Sequence, residues 1–275
     1  MTGAFTNRPA LLFLPASNDR AIDKAQGALD PDMVILDLED AVRDADKAAA
    51  RDAAVAAVAT RWRCPVGIRV NGEGTPWHAD DVAAVGRSAA NFVVVPVAER
   101  ATTLASVGAA VGKPLLAMVE SALGVLEARK LAASAAGLIV GTNDLRADLG
   151  VPEGTGRSAL QVALQLTLLA ARAAAIPAWD GVYNRIDDAE GFAREAGEGR
   201  SLGFDGKSLV HPSQIAPCRV AWAPSSAEVE RARRLVAAFE GGAERFEGAM
   251  VEAMHVAAAR ALLDRAGVGE SARSA

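Results

Sequence analysis

The sequence predicts a (β/α)₈ barrel with a C-terminal helical extension, and three observations lead to that class. Eight short apolar runs follow one another along the chain, and Ala-rich helical stretches separate them. Strands that alternate with helices favour a parallel sheet with right-handed crossovers. The length of 275 residues suits eight such units, which usually need about 250 residues. A doubly wound open sheet is the main alternative, but no Gly-rich dinucleotide motif follows the first strand.

The eight predicted strands are mostly continuous apolar runs rather than alternating ones. Such runs are typical of parallel strands that are buried on both faces. The clearest helical stretches between them are Lys47–Thr60 and Ser158–Ala175. In chain order, the predicted strands are Leu11–Ala16, Met33–Leu38, Val66–Val70, Phe92–Val97, Leu115–Val119, Gly137–Val140, Ala178–Tyr183 and Lys207–Val210.

The pattern changes after the eighth strand. Two further helices are predicted there, over Glu228–Phe239 and His255–Arg265. The sequence shows neither a low-complexity linker nor a second core. We therefore expect a barrel over residues 1–222 and a helical extension over residues 223–275, which packs on its own or on a neighbouring subunit.

The composition is that of a soluble globular protein, with 51% hydrophobic and 23% charged residues. A net charge of −5 and an aromatic fraction of 4% argue against nucleic-acid binding. The two cysteines, Cys64 and Cys218, form no paired motif, which argues against a disulfide framework or a zinc site. Polar residues interrupt the longest apolar stretch, and no targeting signal is visible. We expect a cytoplasmic protein that does not bind membranes.

Polar side chains collect at the carboxyl ends of the predicted strands. In a (β/α)₈ barrel, the active site lies at this face and is built from several strand ends. So many polar strand ends are hard to explain by structure alone, because unpaired buried charges are costly. These residues are Ser17, Asp37, Glu39, Asp40, Arg69, Asn71, Glu120, Asn143, Asp144, Asp180, Asn184 and His211.

Glu120 and Asp144 follow the fifth and sixth strands and are the most specific candidates for a functional pair. Neighbouring strands lie about 4.8 Å apart, so the two carboxylates could reach one ion. Without nearby His or Cys ligands, they favour a hard cation, Mg²⁺ first and Mn²⁺ second. In the alternative interpretation, both residues are structural: Asp144 caps the next helix, and Glu120 forms hydrogen bonds at the rim of the barrel.

Several other residues are candidates for substrate contact. Arg69 could hold a substrate carboxylate or stabilise an oxyanion, or it could form an ion pair with Glu39 or Asp40. His211 could act as an acid or base, or it could fix the last strand. Lys24 could meet a phosphate, although solvated helix lysines are commoner, and Asn71 belongs to the same candidate set.

Seven ordered motifs resemble the citrate lyase beta-subunit family, and the resemblance extends from about Arg8 to about Leu263. That family includes malyl-CoA and citramalyl-CoA lyases and is related to the HpcH/HpaI aldolases. The motifs are LFLPAS (Leu12–Ser17), LDLEDAV (Leu36–Val42), RVN (Arg69–Asn71), ESALG (Glu120–Gly124), GTNDL (Gly141–Leu145), DGVYN (Asp180–Asn184) and GKSLVHP (Gly206–Pro212).

The resemblance implies a (β/α)₈ barrel and a Mg²⁺-dependent carbon–carbon lyase. It assigns Glu120 and Asp144 as metal ligands and Arg69 as the residue that contacts the substrate. The expected reaction is retro-Claisen or retro-aldol cleavage of a 3-hydroxyacyl-CoA to an acyl-CoA and a 2-oxo acid. Coenzyme A is then part of the substrate rather than a prosthetic group.

The resemblance also assigns supporting roles. Ser17 and Lys24 lie where family members approach coenzyme A. Glu39 and Asp40 lie where family members support the arginine and metal-bound water. Glu252 lies in a C-terminal segment that can supply an acid or base to another subunit, and the family suggests a homotrimer or a multiple of it.

The sequence departs from the family pattern near the thioester side. Ala16 stands where the family usually has Gly, and Val97 where it usually has Lys. Glu120 is followed by Ser-Ala rather than Thr-Pro, and Glu252 and Met254 replace the usual Asp and Pro. Two alternatives therefore stay open: an aldolase or decarboxylase that acts on a free oxo acid, and a non-catalytic metabolite-binding barrel or complex subunit.

Overall fold

The structure, a computed structural model, describes residues 2–268. The chain forms two compact units, of which the first ends at Ala221 and the second begins at Trp222. Residues 269–275 of the predicted extension lie outside the described residues. Within the described part, none of the helices combines the length and the apolar character that a membrane span requires.

Eight parallel strands close into a barrel in the first unit. Each strand pairs with the next in chain order, and the eighth pairs with the first. The predicted (β/α)₈ class is therefore confirmed. The strands are β1 (Ala10–Pro15), β2 (Met33–Asp37), β3 (Val66–Arg69), β4 (Phe92–Val95), β5 (Leu115–Val119), β6 (Gly137–Val140), β7 (Ala178–Asp180) and β8 (Gly206–Leu209).

Helices follow the strands around the barrel. The predicted stretches 47–60 and 158–175 are helical as expected, although the second begins with a short 3₁₀ turn at Arg157–Leu160. The helices are α1 (Asp19–Gly27), α2 (Lys47–Val58), α3 (His78–Arg87), α4 (Ala101–Val111), α5 (Ala122–Ala132), α6 (Thr142–Asp148), α7 (Gln161–Ala173), α8 (Ala189–Leu202) and α9 (Ile215–Trp222).

Most strands end within one residue of the prediction, but β4 and β7 end two and three residues earlier, because the residues that follow them use the backbone for other contacts. After β7, the N–H of Gly181 donates to Asp180 Oδ1 (2.8 Å), and its carbonyl accepts from Lys207 Nζ (2.6 Å). After β4, Val97 takes a left-handed conformation with φ of 43°. Its N–H donates a hydrogen bond to the Glu120 carboxylate instead of to the backbone of a neighbouring strand.

The barrel interior determines which residues reach the site. Ile35, Phe92 and Met118 belong to one apolar cluster inside the barrel. Because alternate residues of a strand face the same side, the inward positions that follow Ile35 and Met118 are Asp37 and Glu120. The same apolar core that closes the barrel therefore presents carboxylates at its carboxyl end.

The second unit contains two helices and a hairpin. They are α10 (Ser226–Ala238), the antiparallel strands β9 (Glu244–Phe246) and β10 (Ala249–Val251), and α11 (Ala253–Arg265). Ser225 caps α10 in a capping box with Glu228. Leu235, Val251 and Leu263 belong to an apolar cluster within this unit. The unit thus has a small core and a hairpin, neither of which the sequence analysis anticipated.

Candidate active site

A cavity of about 310 Å³ lies at the carboxyl end of the barrel. Residues from or directly after β1, β2, β3, β5, β6, β7 and β8 line it, as the strand-end pattern predicts. Its charged lining residues are Asp37, Asp40, Arg69, Glu120 and Asp144. The cavity therefore brings both predicted metal ligands and the predicted substrate arginine to one place.

Arg69 is held by Asp37, a strand-end carboxylate that the sequence analysis did not name as its partner. Its Nε and Nη2 each lie 2.6 Å from an oxygen of Asp37 in a bidentate pair. Asp37 also accepts the backbone N–H groups of Glu39 (2.9 Å) and Ala41 (3.1 Å). The signal for this pair was available, because both residues are inward-facing and stand opposite each other in the register of β2 and β3.

The other side of the guanidinium faces the two carboxylates that were predicted as its partners. Arg69 Nη1 lies 2.7 Å from Glu39 Oε2 and 3.2 Å from Asp40 Oδ2. Burial alone lowers the pKa of Arg69, but Asp37 and then Glu39 outweigh it and raise the pKa above its usual range. The guanidinium is thus charged and fixed in orientation, as a preorganised anion-binding group requires.

Glu39 has a pKa raised to about 8. Burial is the main cause, Arg69 opposes it, and the charges of Asp40 and Glu120 add to it. Its Oε2 has no hydrogen bond, so the close approach to Arg69 is an ion pair without hydrogen-bond geometry. Glu39 can therefore exchange a proton near neutral pH, which is a requirement for a general acid or base.

Glu120 is clamped so that one of its oxygens stays free. Oε1 accepts the backbone N–H of Val97 at 2.6 Å, while Oε2 is buried and has no hydrogen-bond partner. A Cβ at Gly141 would lie 2.2 Å from Oε2, so this position requires glycine. Burial raises the pKa of Glu120 to about 7. The hydrogen bond from Val97 and the charge of Arg69 lower this pKa, and the charge of Asp144 raises it further.

Asp144 lies in the first turn of α6, directly after β6. Burial and the Asp40 charge raise its pKa. The N-cap residue of α6 is Gly141, and no side chain makes a capping bond there. Asp144 is therefore not the N-cap residue, but its carboxylate lies in the first turn and accepts its own backbone N–H, so it also helps to satisfy the start of this helix.

The donor set of this pair fits a hard divalent cation. Glu120 offers a buried oxygen without a partner, and both carboxylates have raised pKa values that a nearby cation would reverse. Within residues 2–268, no group of three or more His, Cys, Asp or Glu side chains could hold a metal ion. Mg²⁺ commonly binds through one or two carboxylates and completes its shell with water and substrate oxygens.

The remaining predicted residues lie outside this cavity. Ser17, in the turn after β1, and Lys24, on α1, are exposed. His211 caps the 3₁₀ turn at Pro212–Gln214, and its Nδ1 lies 2.8 Å from Ser213 Oγ. These contacts match the alternative in which His211 fixes the chain after the last strand.

Asn71 and Glu252 also lie elsewhere. Asn71 is buried, its backbone N–H and Nδ2 both donate to Asp81 Oδ2 (2.9 and 2.6 Å), and it lines a neighbouring cavity of about 540 Å³. Asp40 lines both cavities, whereas Glu39 lines the neighbouring one and reaches the active-site cavity through its ion pair with Arg69. Glu252 belongs to the second unit, where it precedes α11 and its N–H donates to His255 Nδ1 at 3.0 Å.

Known proteins with similar sequences match the chain over most of its length. The family model for HpcH/HpaI aldolase/citrate lyase matches residues 9–212. A (3S)-malyl-CoA thioesterase from Cereibacter sphaeroides is 42% identical over 271 residues, covering 94% of each chain. A citrate lyase subunit beta-like protein from Mycobacterium tuberculosis is 38% identical over 272 residues, covering 96% of this chain and 97% of its own.

Solved structures agree with these matches. The protein CitE from Mycobacterium tuberculosis, in complex with magnesium, acetoacetate and coenzyme A, is similar with a TM-score of 0.85 and 35% sequence identity. The match covers 97% of this chain and 100% of that chain. The resemblance inferred from the seven motifs is thereby confirmed, and the chain is an enzyme of the HpcH/HpaI aldolase/citrate lyase family.

Proposed function

We propose that the protein is a Mg²⁺-dependent lyase that cleaves a 3-hydroxyacyl-CoA of the citryl-, citramalyl- or malyl-CoA type. The observation that carries the proposal is the pair of the buried Glu120 and the more exposed Asp144 in one cavity, beside an arginine fixed by Asp37. The similarity to a protein that binds magnesium and coenzyme A supports it. The products are an acyl-CoA and a 2-oxo acid.

In this proposal, Glu120 and Asp144 hold the metal ion. When bound, Mg²⁺ supplies Lewis-acid polarisation and a template for the carboxylate and hydroxyl oxygens of the oxo-acid half. Mn²⁺ suits the same oxygen donors. The hydrogen bond from Val97 engages Oε1, and the missing Cβ of Gly141 leaves room for Oε2, which stays available for this role.

The bond changes are those of a retro-Claisen cleavage. For malyl-CoA, a base takes the C3 hydroxyl proton, and the C3–O bond becomes a carbonyl as the C2–C3 bond breaks. The C2–C3 electron pair forms a C1–C2 double bond, and the thioester carbonyl pair moves onto oxygen. Arg69 stabilises this enolate oxygen electrostatically, and a proton returned to C2 gives acetyl-CoA and glyoxylate.

We assign the proton transfers to two carboxyl groups. Glu39 is the group in the cluster with a pKa of about 8, and it can accept a proton near neutral pH. Asp40 supports Arg69 beside it. Glu252 from another subunit is the candidate that returns the proton to carbon, and Ser17 and Lys24 are the candidates for contact with coenzyme A.

A second candidate is hydrolysis of the thioester. It is favoured by the 42% identity to a (3S)-malyl-CoA thioesterase over 94% of each chain. In that reaction, water attacks C1 as a base takes one of its protons, and the carbonyl pair moves onto oxygen. The return of that pair expels the coenzyme A thiolate, which takes up the proton, and malate remains. The aldolase or decarboxylase alternative without coenzyme A rests on the Ala16 and Val97 departures.

One assay separates these reactions. The protein is incubated with (3S)-malyl-CoA and Mg²⁺, and glyoxylate and free thiol are measured in parallel. Lyase activity gives glyoxylate without free thiol, whereas hydrolysis gives free thiol without glyoxylate. The metal proposal predicts that EDTA abolishes either product and that Mg²⁺ restores it. If no tested 3-hydroxyacyl-CoA yields either product while a free oxo acid is consumed, the lyase proposal is wrong.

We also propose that the protein works as a homotrimer or a multiple of it. Helices α5 and α7 pack against each other and expose Leu126, Val162 and Leu169. Large apolar side chains left exposed on two packed helices support a subunit interface there. The expected molar mass from light scattering is three times 28.3 kDa, or a multiple of that.

Subunit sharing has its own test. Glu252→Ala and Arg69→Ala proteins are each expected to be inactive alone. Mixed and re-formed oligomers should regain part of the activity, because some sites then combine an intact Arg69 with an intact Glu252. Absence of rescue in mixed oligomers would contradict a shared site.

A further inference from the structure

Ser208 carries a buried hydroxyl without a partner on the wall of the active-site cavity. It stands in β8 opposite Leu11 of β1, and Leu11 belongs to the apolar cluster inside the barrel. Side chains in register on neighbouring strands face the same side, so Ser208 also faces inward. Only 1% of the residue is exposed, and its Oγ has no hydrogen bond.

Such hydroxyls are rare, because burial of a polar group without a partner is unfavourable for folding. Among the described residues, four buried side-chain polar atoms lack a hydrogen bond. Two are Glu39 Oε2 and Glu120 Oε2, which belong to the proposed catalytic cluster, and Ser208 Oγ is a third. By contrast, the half-buried Ser88 donates to the carbonyl of Val85 at 2.8 Å.

The position of Ser208 on the cavity wall suggests its ligand. Strands β2, β3, β5 and β6 contribute all the charged lining residues named above. The wall formed by β7, β8 and β1 is otherwise apolar, with Phe13, Val182 and Val210. Ser208 is therefore the polar side chain that this wall offers to a bound molecule.

We propose that the Ser208 hydroxyl donates a hydrogen bond to the thioester carbonyl oxygen of the substrate. This inference rests on the proposed function, in which Glu120 and Asp144 take the oxo-acid half and Arg69 stabilises the enolate oxygen. Ser208 is then a second donor to that oxygen from the wall of β7, β8 and β1, and rotation about χ1 turns its buried hydroxyl into the cavity. Negative charge develops on that oxygen in both candidate reactions, so a donor there stabilises either transition state. The Ser208 proton is shared but not transferred.

Replacement of the hydroxyl tests the proposal. Ser208→Ala is expected to lower kcat for (3S)-malyl-CoA about a hundredfold, as loss of one oxyanion donor typically does. Its Tm should equal or exceed that of the wild type, because no protein group loses a partner. Ser208→Thr keeps a hydroxyl and should retain most of the rate. The control Ser88→Ala should lower Tm and leave kcat unchanged.

A kcat for Ser208→Ala within twofold of the wild type would overturn the proposal. Proton exchange separates this result from a wrong substrate. The wild type, with Mg²⁺, is incubated with acetyl-CoA in D₂O, and loss of the methyl protons reports enolate formation without C–C cleavage. If malyl-CoA is not turned over but exchange occurs and Ser208→Ala slows it, only the proposed substrate is wrong.

The other outcomes are equally defined. Exchange at the same rate in both proteins overturns the role of Ser208. If the wild type shows no exchange and no turnover, both proposals fall. If it releases only free thiol, Ser208→Ala is compared on that rate with the same expected loss.

Discussion

Two clusters of buried charge in the first unit have opposite designs. The Arg69 cluster lies at the carboxyl end of the barrel interior, where one guanidinium faces Asp37, Glu39 and Asp40. The Lys207 cluster lies on the outer side of β7 and β8. There Lys207 Nζ donates to Asp180 Oδ2 (3.0 Å), Glu195 Oε1 (2.7 Å) and the carbonyl of Gly181 (2.6 Å), and Arg157 also pairs with Asp180.

The difference lies in charge balance. The Lys207 cluster sets two cations against two carboxylates, so its charges are compensated within the protein. The Arg69 cluster sets one cation against the buried Asp37, the mostly buried Glu39 and the exposed Asp40, with the buried Glu120 nearby. The pKa values of Glu39 and Glu120 rise to about 8 and about 7. A buried excess of carboxylates is unfavourable unless a cation joins it. The imbalance therefore marks a binding site, whereas the balanced cluster is structural.

The largest expected effect comes from removing one charge of the unbalanced cluster. Glu120→Gln keeps the shape of the side chain but removes a metal ligand. Lewis-acid stabilisation is worth several kcal/mol, so we expect turnover to fall by about a thousandfold or more. The measurement is the rate of product formation from (3S)-malyl-CoA as Mg²⁺ is varied, and Asp144→Asn should behave alike.

The stability of the same variant sharpens the comparison. Burial raises the pKa of Glu120 to about 7, so its ionised form is disfavoured in the folded, metal-free protein. Glu120→Gln should therefore unfold at an equal or higher temperature than the wild type at pH 8 in EDTA. Full activity in Glu120→Gln, or collapse of its fold, would contradict the assignment.

The balanced cluster should respond in the opposite way. Lys207→Met leaves the buried carboxylate of Asp180 with one partner fewer, and removal of one member of a buried pair costs about 3–5 kcal/mol. We expect a loss of this size in the free energy of unfolding, measured by urea denaturation. The double variant Lys207→Met with Asp180→Asn should recover part of it. A loss below about 1 kcal/mol would mean that the cluster is not structural.

Glu39 provides a pH-dependent test. The pKa of Glu39 is about 8 in the folded protein, against the ordinary value of 4.5 that applies to the unfolded chain. Between pH 4.5 and 8 the folded protein therefore binds more protons than the unfolded chain. The free energy of unfolding then falls as pH rises through this range, and it does not change below pH 4.5. A full 3.5-unit difference corresponds to at most about 5 kcal/mol, and the effect is smaller because the charge of Glu120, which helps to raise this pKa, titrates as well.

The measurement compares Glu39→Gln with the wild type in EDTA. Glutamine does not titrate, so the variant should gain stability relative to the wild type as pH rises from 5 to 8. Added Mg²⁺ is expected to reduce this stability difference, because a cation stabilises the ionised Glu39 carboxylate of the wild type. A difference that is independent of pH would show that Glu39 keeps an ordinary pKa.

The barrel and most of the charged cluster could be predicted from the sequence, because they depend on local patterns. Continuous apolar runs define the strands, and alternation places Glu120 at an inward strand end. The same alternation could have identified Asp37 as the partner of Arg69. The free oxygen of Glu120 could not be predicted, because it depends on the approach of Gly141 from the next strand.

The hairpin of the second unit was missed for a local reason. Its two-residue turn uses Glu247 and Gly248, both with positive φ. Such turns usually carry Asn-Gly or Asp-Gly, and Glu-Gly gives a much weaker signal. The flanking strands have three residues each, which is too short for an alternation pattern to stand out.

The smallest expected effect concerns the residue that links the backbone to the unbalanced cluster. Val97 has φ of 43° although it is β-branched, and half of it is exposed. A left-handed conformation costs a non-glycine residue about 1–2 kcal/mol, and glycine loses about 0.5–1 kcal/mol through its freedom in the unfolded chain. Val97→Gly should therefore raise the free energy of unfolding by about 0.5–1 kcal/mol, measured by urea denaturation.

The N–H of Val97 remains in that variant, so the hydrogen bond to Glu120 Oε1 and the activity should survive. Val97→Ala, which keeps a Cβ but removes the branch, is the matched control and should gain less. If Val97→Gly is more stable and as active, the strained backbone serves only to aim its N–H at Glu120. If it is more stable but loses activity, the stiffness of Val97 itself keeps Glu120 Oε2 in place, and rigidity is then part of what the unbalanced cluster requires.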